Sequence, residues 1–86
     1  MSKDLAKMDM PTLEKLSVEE MLTGLTAFGA PRVSLVKNSW YAAIDMHVSS
    51  VGAEFKVGSS FDHNTPGSAL LELVARVRKT LKDLNS

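Results

Sequence analysis

The apolar positions of this chain change their period twice. Behind Thr65 and Pro66, the residues Leu70, Leu73, Val74, Val77, Leu81 and Leu84 recur at three- and four-residue steps, so a helix places them on one face. Thr65 has an N-cap side chain, and Pro66 suits the first helical position because its missing N–H would have been unpaired there anyway. Arg76, Arg78, Lys79 and Lys82 fall toward the C-terminal end, where the helix dipole favours cations. A second helical stretch spans residues 11–28. Ser17 and Glu20 have capping-box spacing, and Met21, Leu22, Leu25 and Phe28 form the apolar stripe behind them. Thr12, Leu13 and Leu16 mark a short turn of helix ahead of that cap. Gly29 suits a left-handed cap, and Pro31 bars continuation.

Between the two helices the period falls to two. Residues 32–36 form a short β-rich run, and Lys37, Asn38 and Ser39 read as a tight turn. Over residues 40–48, Trp40, Ala42, Ile44, Met46 and Val48 face one way and Tyr41, Ala43, Asp45 and His47 the other, as in a half-buried antiparallel strand. Residues 49–52 make a second turn. Ala53, Phe55 and Val57 then alternate with Glu54 and Lys56, and Gly58, Ser59 and Ser60 mark a strand end or bulge. The order α-β-β-β-α predicts an α+β fold: a three-stranded antiparallel meander with two helices packed on one face. Trp40, Ile44, Met46, Phe55, Val57, Leu70, Leu73, Val74 and Val77 are the expected core. Residues 1–11 have weak periodicity and are expected to be a loosely ordered N-terminus, with residues 12–86 a single domain.

Charge narrows the functional classes. Ten Lys and Arg balance ten Asp and Glu over 86 residues. Proteins that hold nucleic acid electrostatically usually carry a basic excess. The tilt within the chain is mild: residues 32–86 hold seven Lys or Arg against five acids. Without cysteine there is neither a disulfide framework nor a thiolate metal site. No apolar run approaches the roughly 18 residues that span a bilayer. The N-terminus alternates charges with Leu5, Met8 and Met10, unlike a signal peptide. The expected location is the cytoplasm, away from membranes.

Candidate chemistry is sparse. His47 lies two residues from Asp45 on one strand face, and His63 adjoins Asp62 in a loop. These four would make a metal site only if the loop folded over the exposed sheet face. The serines lack the Gly-x-Ser-x-Gly elbow of a strand-turn-helix nucleophile. The loop before the last helix has no lysine to grip a phosphate and contains Asp62. The expectation is a protein without metal or cofactor that is not an enzyme. Trp40 reads as core. Tyr41, projecting with His47 beside Lys56, makes a small aromatic and basic surface of the kind that stacks on bases or anchors proteins. Lys37, Tyr41, His47 and Lys56, with Arg76 from the basic last helix, are the expected partner-binding residues. Two open strand edges, or a seam of Leu70, Val77 and Leu84, would support a homodimer.

Two resemblances follow from these residues. The α-β-β-β-α order over residues 12–84 resembles the double-stranded RNA-binding domain. That family grips phosphates with a lysine-rich helix start, and here Asn64, Thr65, Pro66, Gly67 and Ser68 occupy it without a lysine. The likeness implies the fold without that family's phosphate grip. Nucleic-acid binding through Lys37, Tyr41, Lys56 and the basic end of the last helix is the alternative to protein binding. The run from Trp40 and Tyr41, through Gly52, Ala53, Glu54, Phe55, Lys56 and Val57, to Ser60, Phe61, Asp62, His63, Asn64, Thr65, Pro66, Ala69 and Leu70 is similar to small accessory proteins of tailed bacteriophages. It implies a protein-binding module in the host cytoplasm that modulates or inhibits a host protein.

Overall fold

The computed structural model describes residues 8–48 and 52–84. Its element order is α1 (Met10–Glu14), α2 (Val18–Leu25), β1 (Gly29–Val36), β2 (Ser39–Val48), β3 (Ala53–Gly58) and α3 (Pro66–Leu84). The strands form one antiparallel sheet in the order β1-β2-β3, so the α+β class and the meander agree with the sequence pattern.

The helix starts follow from local chemistry. Asp9 caps α1 by accepting from the Thr12 amide at 3.3 Å. This helix begins inside the stretch expected to be loose, and its Leu13 is fully buried. Ser17 and Glu20 close the capping box of α2 through two reciprocal bonds of 3.1 Å. Thr65 caps α3 by accepting from the Ser68 amide at 3.1 Å.

Gly29 plays a different part from the one its position suggests. The helix ends at Leu25 with Thr26 as C-cap, and Gly29 already belongs to β1 without a positive φ. Glycine is needed there for space: a Cβ would collide with the Asp45 carbonyl oxygen and lie 2.8 Å from the Asp45 carbonyl carbon. Pro31 is likewise inside the strand. His47 donates to Phe28 O, and antiparallel alternation from that bond turns the backbone groups of Gly29, Pro31, Val33 and Leu35 away from β2. Proline's missing N–H thus falls on the open edge, where strands tolerate it.

The turn between β1 and β2 holds two residues, Lys37 and Asn38, at φ 50° and 66°. Ser39 belongs to β2 and pairs with Val36. The turn expected over residues 49–52 lies outside the described residues except for Gly52, whose φ of 62° suits glycine.

The helices share the face of β2 that carries Ala42, Ile44 and Met46. Leu13, Met21, Leu25, Ala69, Leu70, Leu73, Val74 and Val77 complete the buried cluster. Of the expected core, Trp40, Phe55 and Val57 lie at its margin and are only partly buried. Leu70 and Val77 are 0 % and 1 % exposed, so the interior consumes the heptad seam expected to serve a helix-mediated dimer.

Candidate functional site

The opposite sheet face carries a second pattern. Register places Arg32 opposite Ala43, Ser34 opposite Tyr41, Lys56 opposite Asp45 and Glu54 opposite His47. Arg32, Asp45, His47, Glu54 and Lys56 are all exposed. Arg32 reaches diagonally to Asp45, with Nη1 to Oδ2 at 3.2 Å. Unlike charges therefore alternate across the strands, an arrangement that favours this register over its one-residue slips.

Toward the hairpin end the face turns aromatic. Tyr41 stacks on Phe61 with ring centroids 4.4 Å apart and planes within 9°. Gly58 makes room for this, because a Cβ there would sit 3.4 Å from Tyr41 Cε2. Phe61 is 63 % exposed although its ring is held in place. Leu35 and Val36 are exposed at the end of the same hairpin, at 57 % and 42 %.

A polar cluster lies where the loop after β3 meets α3. The chain leaves the sheet at Ser59, whose amide donates to Ala42 O at 2.8 Å. The buried Ser59 hydroxyl accepts from the Ala42 amide at 2.9 Å, in the place of a strand carbonyl. The loop returns at His63, whose carbonyl accepts from Trp40 N at 2.7 Å. The His63 ring then bridges to the helix: Nε2 lies 2.5 Å from Glu72 Oε1, and Nδ1 lies 2.7 Å from Ser68 Oγ. Glu72 also accepts from the Ser60 amide at 2.8 Å, the Ser60 hydroxyl at 3.1 Å and Arg76 Nη2 at 2.9 Å. These donors stabilise the carboxylate, His63 foremost and then the Ser60 amide, and they lower the Glu72 pKa to about 2. The loop weighed as an anion site does hold an anion, which is the protein's own Glu72.

The expected partner residues divide accordingly. Tyr41, His47 and Lys56 share the outer face, and Lys37 sits exposed at the hairpin turn beside it. Arg76 lies apart on α3, bound to Glu72. The two histidines are also separate: His47 is on the outer face, and the His63 ring is turned to α3. Among the described residues no three His, Cys, Asp or Glu side chains gather as metal ligands. Sequence reasoning missed Phe61 and the group of Ser60, Ser68 and Glu72. One signal was present: Ser68, Glu72 and Arg76 recur every four residues on the polar side of α3, with His63 just ahead of the cap.

Comparison with protein-family models, with curated proteins and with solved structures gives no match. No described helix is long and apolar enough to cross a membrane.

Proposed function

We propose that this chain is a protein-binding module whose partner docks on the outer sheet face at the Tyr41–Phe61 stack. The observation that carries the reading is Phe61: a large apolar ring, mostly exposed, yet fixed by stacking. A ring ordered in advance loses little freedom on binding, and buried aromatic anchors dominate many interfaces. The flanking charges of both signs give a partner its orientation, with Lys37, His47 and Lys56 as the positive or titratable contacts. The resemblance to phage accessory proteins extends the proposal to a host protein as partner, modulated or inhibited by docking.

Capture from bacterial lysate tests this. The wild-type chain should retain one stoichiometric partner, and Phe61→Ala and Tyr41→Ala should each lose it. Retention of that partner by both variants refutes the assignment of the surface.

The same stack favours a second reading. An exposed ring on a sheet face that also carries Lys56, with Lys37 at the adjoining turn, is also a platform for a nucleic-acid base. That reading requires affinity for single-stranded oligonucleotides that falls steeply with salt. The pairing of Arg32 with Asp45 and the zero net charge favour a protein.

Self-association is part of the proposal, through the free edge of β1. The β3 strand carries exposed Glu54 and Lys56, charges that oppose strand addition, and Pro31 and Arg32 oppose it along the first half of β1. Pairing is left to the hairpin end of β1, where Leu35 is exposed and its amide faces outward. Leu35→Pro removes an outward donor and should leave a monomer by sedimentation. Leu84→Glu should leave the dimer intact.

A further inference from the structure

We propose that Ser68 is an activated nucleophile, with His63 as its general base and Glu72 as the positioning carboxylate, competent for acyl transfer from esters. The inference rests on the order of the hydrogen bonds and is independent of partner binding. Glu72 has four donors, and they leave its carboxylate no role but acceptor. Its Oε1 accepts from His63 Nε2–H, which fixes the neutral ring as the Nε2–H tautomer. The Nδ1 lone pair then points at Ser68 Oγ at 2.7 Å and can take its proton. The nitrogens are exchanged relative to the usual serine–histidine–acid relay, but the roles are the same.

The group is built to keep this geometry. The His63 carbonyl is tied to Trp40 on the sheet, and both Glu72 oxygens are tied to Ser60. Ser68 is an exposed residue, while the His63 side chain beside it is only 17 % exposed. Gly67 adds no side chain beside it. The Gly67 amide has no acceptor among the described residues, whereas Thr65 takes the amides of Ser68 and Ala69.

In the step proposed, Ser68 Oγ attacks the ester carbonyl carbon as its proton passes to His63 Nδ1. The C–O bond to the leaving group breaks, and the proton on His63 goes to the departing oxygen. Ser68 is left as an O-acyl ester. A water molecule, deprotonated by the same nitrogen, hydrolyses it and restores the hydroxyl.

The probes are p-nitrophenyl acetate and a fluorophosphonate, followed by intact-mass and peptide mass spectrometry. The wild-type chain should gain one acetyl or one phosphonyl group, on Ser68. His63→Gln should slow acylation roughly 10²- to 10⁴-fold. Glu72→Gln should shift the pH profile of acylation, because the ring is then free to present either nitrogen. Ser68→Ala keeps the fold, since it is an exposed position, and should take no label. A wild-type chain that stays unlabelled overturns the proposal. So does label on another residue, or equal rates in wild type and His63→Gln.

Discussion

The two faces of the sheet are held by different physics. On the inner face, Ala42, Ile44 and Met46 are closed off by three helices and stabilise the fold through apolar burial. On the outer face, exposed cross-strand charges and one aromatic stack sit in water, where each contact contributes little. The difference separates two tasks. Stability resides on the inner face, and the outer face is free to vary its chemistry, as the proposed recognition role requires, without unfolding the domain.

Substitutions can break this division, and the largest effect belongs to the inner face. Leu73→Ala leaves a cavity at a fully buried site and should cost about 2–5 kcal/mol in denaturant unfolding, a large share of a small domain's stability. Unchanged stability would place the core elsewhere. Gly29→Ala follows, because the new methyl meets Asp45 backbone that cannot swing aside. A loss of about 1–3 kcal/mol is expected, by analogy with overpacked sites. Loss of amide-exchange protection should appear first at the end of β2 facing Gly29.

Glu72 joins the layers, and its test is acid. Its pKa is lowered to about 2 from 4.5, so folding is favoured by the ionised form. That contribution is complete above about pH 4.5 and disappears as the pH falls toward 2. Glu72→Gln should lose about 1–3 kcal/mol at neutral pH. Its stability should then vary less than the wild type's over that acid window. Parallel acid titrations of the two proteins would contradict the assignment.

The outer face gives the smallest changes. Phe61→Ala should cost about 0.5–1.5 kcal/mol of stability while removing most affinity for the proposed partner. Arg32→Ala breaks an ion pair whose side chains are about half exposed, and it should change stability by about 0–1 kcal/mol. A severe loss of stability from either one would mean that both faces carry the fold.

The inner face was the legible part of the chain. Period-two and helical periods put Ile44, Met46, Leu70, Leu73, Val74 and Val77 in the interior before any contact was known. Ala42 shared the period-two face, but it and Ala69 gave weaker signals because a small side chain marks burial poorly, and Leu13 sits in a helix too short to show a period. Pairing across the outer face depends on register, and register depends on turn length. A three-residue turn would have moved Arg32 away from Asp45; the observed two-residue turn brings them together. The His63 cluster was hidden for another reason. It needs the loop to be tied to Trp40 before its ring can meet a residue two turns into α3, and no local pattern encodes that closure.

The hairpin turn has a consequence for how fast the chain finds its structure. Each strand pairs with its neighbour in sequence, so the sheet can assemble through short loop closures before distant helices dock. The first closure requires Lys37 and Asn38 to enter the left-handed region together. Asparagine does so readily, whereas lysine resists. Lys37 thus raises the barrier to closing this hairpin. Lys37→Gly should shorten the refolding time in stopped-flow fluorescence of Trp40, if hairpin closure limits the rate. A rate that ignores this change would move the nucleus to the packing of α3. A faster Lys37→Gly would mean that one surface residue outside the core sets the pace of folding.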